Sequence, residues 1–273
     1  MRPEEIEDKL GFPTEPAALI VKTPFSGDAG AAGCWIGGLP TLPERTEWPM
    51  RMDRGRPLHP LHFIAQINLA ELPGGAARYG LPELGTLFFF DNYVHDTAGQ
   101  SAVIHVEEDI SGLKARPIPE FPEGFERFGS LRHWEKNPVT SFDRWPVQFH
   151  AYDALDTDIT PWSDKLTQAT LAEQRALRSV ASGQGMTRNK IIDWLKGANK
   201  GAPRREASLH RLMGPDNRHA RSRPAQSEYL RLLTLEHDPD IRFEFNCEEL
   251  VFLIHRDDLT QGRFDRAIAH SVQ

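Results

Sequence analysis

The sequence predicts an α+β fold built mainly from antiparallel sheet, with a helical segment in the middle of the chain. Segments with apolar runs or strict apolar–polar alternation, both typical of strands, gather towards the two ends of the chain. Segments rich in helix-forming residues gather in the middle. This segregation favours α+β over a parallel, doubly wound sheet. We interpret residues 1–273 as one domain.

The N-terminal part carries five predicted strands. Residues 18–22 form a short apolar run. Residues 61–69 alternate, which places every second side chain, including Phe63 and Ala65, on one face of a strand and Ile64 and Gln66 on the other. Residues 85–91 are apolar on both faces, which is typical of a central strand. Further strands are predicted at 101–107 and 147–154.

The middle of the chain is predicted to be helical and the C-terminal part to return to strands. Residues 167–182 are rich in helix formers and end at Gly183, and residues 187–198 form a shorter predicted helix. We therefore interpret 155–225 as a helical, basic, insertion-like segment and expect 200–225 to be the most mobile internal region. Four final strands are predicted, at 229–235, 241–245, 250–255 and 264–271.

Two segment pairs share a layout. Residues 63–69 and 85–90 form a strand, a polar connection and a strongly apolar strand, and residues 230–238 and 249–254 repeat that order. Phe88 and Phe252 would then correspond at an offset of 164 residues. Two interpretations stay open: two similar sheet units around a shared core, or chance similarity between two hairpins.

Charge is distributed unevenly along the chain. The formal net charge is −7, yet residues 187–224 hold ten Lys and Arg against three acidic residues, so this stretch carries +7 and the remaining 235 residues carry −14. An acidic body disfavours general nucleic-acid binding, which we expect only through 187–224 if at all. It suits a basic partner.

Composition predicts a cytoplasmic protein. The two cysteines, Cys34 and Cys247, do not suggest a disulfide framework. No apolar segment approaches the length of about 18 residues that a membrane-spanning helix needs. The N-terminus does not read as a signal peptide, and we expect no membrane association.

Residues 37–49 form the most unusual segment. Its three prolines remove backbone donors, so the segment is neither a helix nor a central strand. Gly37, Gly38 and Trp48 could form a rigid loop that presents the tryptophan to a ligand, or an extended strap that seals the sheet. Gln66, on a buried face, would brace the backbone of this strap or line a polar pocket.

Several of these features together resemble one family. They are the Gly-Gly-x-Pro-x-Leu-Pro pattern at 37–43, Trp48-Pro49, the strand containing Gln66, the Gly-x-Leu-x-Phe-Phe run at 85–90 and the closing segment 249–264. In this order they resemble the YwqG-like family of bacterial domains of unknown function. The resemblance implies a mixed, mostly antiparallel fold in a cytoplasmic protein and no established activity. The chain departs from the family at 245–249, where Trp-Gly-Asp-x-Gly is usual, and at Thr234, where Gln is usual.

The sequence contains no established catalytic motif. His59, His62 and the pair His95–Asp96 are the best metal candidates, but residues three apart on a strand face opposite sides, so structural histidines are favoured. Asp153, Asp156 and Asp158 form an acidic run that is more typical of a polar loop than of a cation site. We expect no cofactor, no bound metal and no catalytic residue.

The favoured hypothesis is therefore a non-enzymatic binding protein with a basic protein partner, and an immunity-type role against a toxin is its more specific form. The alternatives are an enzyme with a dispersed, metal-assisted hydrolytic site and a small-ligand module. Candidate ligand- or partner-binding residues are Gly37, Gly38, Trp48, Gln66, Asp91, Glu107, Glu108, Asp109, Asp153, Asp156 and Asp158.

Overall fold

A computed structural model describes residues 14–23, 33–52, 58–92, 101–123, 142–155, 210–214, 228–236, 238, 241 and 249–272. The strands are β1 (Thr14–Lys22), β2 (Trp35–Ile36), β3 (Met50–Arg51), β4 (His59–Pro60), β5 (His62–Asn68), β6 (Thr86–Asp91), β7 (Ser101–Val106), β8 (Trp145–Leu155), β9 (His210–Leu212), β10 (Tyr229–Glu236), β11 (Glu249–His255) and β12 (Ile268–Val272). The helical elements of these residues are short: α1 (Arg256–Thr260) and 3-10 turns at Leu69–Glu71, Ala76–Tyr79 and Phe264–Arg266.

Ten of these strands form one antiparallel sheet. Its order is β12-β11-β10-β9-β1-β8-β2-β5-β6-β7, and β3 and β4 pair separately. The long pair β1·β8 lies at the centre, in register from Thr14 opposite Leu155 to Lys22 opposite Val147. We call β2, β5, β6 and β7 the first half and β9, β10, β11 and β12 the second half.

The sheet curls until its two edges meet, giving a nearly closed, barrel-like shape. Phe89 of β6 and Phe252 of β11 pack edge to face across the interior, with ring centroids 5.2 Å apart, although their strands are far apart in the sheet order. At the seam, the Ser101 hydroxyl of β7 accepts a hydrogen bond of 2.8 Å from the Ala269 N–H of β12. Closure of this kind leaves little unpaired strand edge and buries one continuous apolar core.

The two halves repeat one another in detail. The register of β5 against β6 shifts between Phe63 and Ala65, and that of β10 against β11 shifts between Arg231 and Leu233. Ala65 then lies opposite Phe89, as Leu233 lies opposite Phe252. The shared layout of the two hairpins is therefore a real repeat of backbone structure.

The turns that follow β2 and β9 repeat as well. Gly37 donates its N–H to the Ile64 carbonyl, and Met213 donates its N–H to the Leu232 carbonyl. Both residues have positive φ, +70° and +58°. The short strands β2 and β9 therefore both end in a left-handed turn. Each turn is hydrogen-bonded to the residue at which the neighbouring strand shifts its register.

The α+β prediction is wrong. The described residues are mostly antiparallel sheet, with only the short helical elements above, and both hairpins belong to one sheet. The predicted helices at 167–182 and 187–198 lie outside the described residues. Strand β9 lies within the segment predicted to be helical and mobile, and Leu212 in it is fully buried.

Two finer predictions about side chains are also wrong. The register shift turns both Ile64 and Ala65 towards the interior, whereas simple alternation placed them on opposite faces. The residue equivalent to Phe252 is Phe89 and not Phe88, which packs in a separate cluster on the outer face of the first half. A single unpaired residue in a strand inverts the faces of everything beyond it.

Most predicted strand boundaries lie within two residues of the observed ones, but β1 begins at Thr14, four residues before its predicted start, and two predictions at the C-terminal end differ. Phe264 begins a 3-10 turn, and the last strand starts only at Ile268. Ile241 lies in a turn, and residues 242–245 of the strand predicted at 241–245 are outside the described residues. No helix among the described residues is both long and apolar enough to span a membrane.

Candidate binding pocket

A pocket of about 630 Å³ opens on the outer face of the first half. This volume is within the range of roughly 300–1,000 Å³ that is typical of ligand sites. Three regions surround it: the turn after β5, the start of β6 and the loop after β7. Its lining includes Gly33, Trp35, Thr41, Gln66, Glu71, Leu84, Gly85, Glu107, Glu108, Asp109, Ile110, Leu113 and Arg144.

Gln66 joins the floor of this pocket to the strap. Its side-chain oxygen accepts hydrogen bonds from the Thr41 N–H at 2.9 Å and the Thr41 hydroxyl at 3.1 Å. Its amide group donates to the Gly33 carbonyl at 3.3 Å. The two roles considered for this residue therefore coincide, because Gln66 braces the strap and also lines the pocket.

The segment at 37–49 is an extended strap that seals the sheet, and it does not present Trp48 to a ligand. Trp48 is buried, donates its indole N–H to the Leu61 carbonyl at 2.9 Å, and packs edge-on against Phe90. A Cβ on Gly37 would collide with the Asp143 carbonyl oxygen, and one on Gly38 would lie 2.7 Å from the Arg144 Cβ. Gly37, Gly38 and Trp48 therefore position the pocket and do not line it.

Trp35 and Arg144 form the rest of the floor. The Arg144 guanidinium stacks over the Trp35 ring at 4.0 Å from the centroid, a cation–π contact. Burial lowers the pKa of Arg144 from its ordinary value. Trp35 is 2% exposed, and its indole N–H has no hydrogen-bond acceptor among the described residues.

Four carboxylates line the pocket: Glu71, Glu107, Glu108 and Asp109. Glu71 is fixed by the Gly33 N–H, which donates to its Oε1 at 2.9 Å. Asp109 accepts the Ser111 N–H at 2.9 Å, which lowers its pKa. Glu108 pairs with Arg45. Four carboxylates face two guanidiniums, Arg144 in the lining and Arg45 on Glu108, so the pocket stays electronegative.

The rim of the pocket is apolar. Leu84 and Leu113 are 69% and 42% exposed, and both border the same pocket. Both sit on ordered backbone: the Leu84 carbonyl lies 3.1 Å from the His105 Nε2, and the Leu113 N–H donates to the Ile110 carbonyl. The exposure of these leucines is therefore built into the turns that carry them.

The other predicted site residues lie elsewhere. Asp91 ends β6, opposite His62 and Ser101, and is not part of the pocket lining. Burial raises its pKa to about 7. Asp153 lies opposite Pro16 in the central pair, and Asp156 and Asp158 are outside the described residues. The acidic clusters named from the sequence are thus not one site, and only 107–109 reaches the pocket.

The histidine and cysteine candidates that the structure describes are buried. His59 and His62 are buried beside the Phe121 ring, and no group of three potential metal ligands occurs among the described residues. His95 is outside them. Cys34 is fully buried, and burial raises its pKa, which makes it a poor nucleophile.

A second polar cluster closes one end of the interior. Asp238 contacts the Lys22 ammonium at 2.6 Å and the His210 Nε2 at 3.0 Å. The other ring nitrogen of His210 accepts the Glu236 N–H, so the proton stays on Nε2. Burial lowers the pKa of His210, which is neutral, while its two partners hold the pKa of Asp238 at about 2. The cluster ties β1, β9 and the segment after β10 together.

Sequence reasoning missed Trp35, Glu71, Leu84, Leu113 and Arg144. Strand β2 has only two residues, too few to show a period, so nothing marked Trp35. Arg144 follows Trp35 by more than a hundred residues and meets it only through the pairing of β2 with β8. Leu84 lies 23 residues before the acidic triplet, and the exposure of Leu84 and Leu113 becomes visible only in the folded chain.

A comparison with known families finds a match that spans most of the chain. A family model described as Domain of unknown function (DUF1963) matches residues 35–271. The chain belongs to this family. The match covers the strap, the pocket lining except Gly33, and nearly all of both halves of the sheet. A search among curated proteins found no match.

Proposed function

We propose that this chain is a non-enzymatic binding protein that holds a positively charged protein partner at the acidic pocket. The observation that carries the proposal is the gathering of Glu71, Glu107, Glu108 and Asp109 around one pocket of about 630 Å³. Carboxylates grouped in this way attract a basic partner during approach and select against acidic ones. The charge of −14 outside residues 187–224 supports the same direction of steering.

Affinity capture from the native lysate, followed by mass spectrometry, tests the proposal. The pocket variant carries Glu107→Lys, Glu108→Lys and Asp109→Lys. The matched control carries Glu228→Lys, Asp257→Lys and Asp265→Lys, which makes the same charge change at exposed positions away from the pocket. We expect a basic protein that the wild type and the control retain and the pocket variant loses. Retention by the pocket variant would contradict the proposal.

The immunity-type role is the more specific form of this proposal. An acidic protein can neutralise a toxin by covering a basic surface that the toxin needs for its own substrate. Co-expression of the captured partner with each variant tests it. We expect the wild type and the control to restore growth and the pocket variant to fail. A partner that is harmless when expressed alone would exclude this form.

A further inference from the structure

We infer, on the basis of the proposed function, that the pocket binds an arginine side chain on an extended peptide segment with large apolar residues beside it. The juxtaposition that carries this inference is an electronegative pocket bordered by two exposed leucines on ordered turns. Charge complementarity indicates that the bound group is basic, and the exposed leucines indicate that apolar residues lie beside it. The occupant is therefore part of a protein, and not a free cation.

The apolar rim argues for an occupant larger than the cavity. The described residues contain five exposed large apolar side chains, and two of them, Leu84 and Leu113, border this pocket. A metal ion or a polyamine would be held by the carboxylates alone and would leave both leucines in water. Apolar residues on either side of the bound basic group would cover them, which removes apolar surface from water.

The floor argues for a peptide main chain. Among the described residues the Trp35 indole N–H has no acceptor, and Trp35 lines the pocket. A small organic cation brings only donors, whereas a peptide also brings carbonyl oxygens. An extended segment can therefore supply both the cation that the carboxylates need and the acceptor that this indole lacks.

The choice of arginine over lysine follows from the mixed lining. Ile110 and Leu113 stand beside the carboxylates, so a bound cation loses much of its water. A guanidinium is more weakly hydrated than an ammonium and can bond two carboxylate oxygens at once. Arg45 already pairs with Glu108 at this rim, which shows that a guanidinium fits the local geometry.

Calorimetric titration of the full-length chain with defined probes tests the inference. The probes are acetyl-Leu-Arg-Leu-amide, its lysine and citrulline counterparts, acetyl-Gly-Arg-Gly-amide and agmatine. Citrulline keeps the shape of arginine without the charge. We expect the Leu-Arg-Leu peptide to bind about tenfold or more tightly than the citrulline peptide, as one desolvated charge-assisted contact predicts. We expect the lysine, glycine and agmatine probes to bind more weakly than Leu-Arg-Leu.

Two variants make the assignment specific. Leu84→Ser/Leu113→Ser should reduce the affinity for Leu-Arg-Leu to that for Gly-Arg-Gly and leave Gly-Arg-Gly unchanged. Glu107→Gln/Glu108→Gln/Asp109→Asn should abolish binding of every charged probe. Thermal unfolding of both variants checks that they fold, and a variant that does not is replaced by the corresponding single substitutions.

The outcomes separate this inference from the proposed function. Agmatine or Gly-Arg-Gly binding as tightly as Leu-Arg-Leu would overturn the peptide inference and leave a cation site. Equal affinity for the lysine and arginine peptides would overturn the choice of arginine. If no probe binds but the captured partner still depends on residues 107–109, the inference fails while the proposed function stands. If the partner is also indifferent to those residues, both fail.

Discussion

The two halves of the sheet share one backbone arrangement but carry chemically different side chains on their outer faces. In the first half, Phe63 and Gln66 of β5 and Thr86 of β6 support an apolar cluster and an open pocket. The equivalent positions in the second half, read from the two registers, are Arg231, Thr234 and Glu249. The residues of both sets are buried, but only in the second half do two of them, Arg231 and Glu249, form an ion pair, at 2.9 Å.

This difference shows that the repeated backbone does not itself create a binding site. Gln66 reaches the strap because the strap lies over it, and its amide finds partners in Thr41 and Gly33. Thr234 stands in its place, and its hydroxyl has no hydrogen-bond partner among the described residues. The shorter side chain cannot make the same bridge. The candidate site therefore depends on a few side chains that only one of the two repeated halves carries.

The largest effect is expected from breaking the ion pair of the second half. Arg231→Met leaves the Glu249 carboxylate buried without this partner, which should lower the free energy of unfolding by about 3–5 kcal/mol. The double variant Arg231→Phe/Glu249→Thr installs the residues of the first half and should recover most of that loss. Urea unfolding measures both. A double variant no more stable than Arg231→Met would show that the halves are not interchangeable here.

The next effect concerns the left-handed turn of the first half. Gly37→Ala should destabilise the chain by about 2–3 kcal/mol, since the left-handed backbone and the collision with the Asp143 carbonyl act together. Gly80 also lies in the left-handed region, at φ +71°, but an added Cβ would meet only an ordinary contact at 3.7 Å from Leu259, so Gly80→Ala is the matched control and should cost about 1 kcal/mol. Thermal unfolding distinguishes them, and equal losses would exclude close packing at Gly37 as the cause.

Asp238 should make the protein sensitive to acid. Its folded pKa of about 2 lies below the ordinary 3.8, so its contribution is complete above pH 3.8 and is lost as the pH falls towards 2. This contribution is about 2 kcal/mol. Asp238→Asn should therefore flatten the acid limb of a stability–pH profile. An unchanged acid limb would show that the cluster with Lys22 and His210 does not hold the carboxylate ionised.

Asp91, in the first half, should behave in the opposite way. Burial raises its pKa to about 7, so its contribution is complete below pH 3.8 and is lost as the pH rises through 7. Asp91→Asn should raise the melting temperature more at about pH 8 than at about pH 5. In free energy of unfolding the difference is about 1–2 kcal/mol, a reduced value because the side chain keeps some contact with water. A uniform shift at both pH values would contradict this assignment.

The apolar runs were sufficient to predict most strands of the sheet, because a strand buried on both faces needs an unbroken set of apolar residues. They could not reveal the register shifts at Ile64 and Leu232, which depend on pairing and not on composition. They also could not reveal β2 and β9, which are too short to show a period. The fold class was wrong because the described residues are mostly antiparallel sheet, with only short helical elements between the strands.

The candidate site was predictable only in part. Gln66 and the acidic triplet 107–109 could be named because they are conspicuous in the sequence. Their meeting with Glu71 and Arg144 depends on how three distant segments are brought together by the first half and by β8. Trp48 was conspicuous as well, but its indole N–H is satisfied by the Leu61 carbonyl, so it stabilises the strap.

The most direct test of the central claim is the affinity of the captured partner for the wild type, the pocket variant and the control variant at low and high salt. If the acidic pocket is the binding site, the wild type and the control will bind with an association rate that falls as salt rises, because surface charges are screened over about 8–10 Å near physiological ionic strength. The pocket variant will bind weakly at every salt concentration. Equal affinity of all three proteins, or an association rate indifferent to salt, would contradict the account.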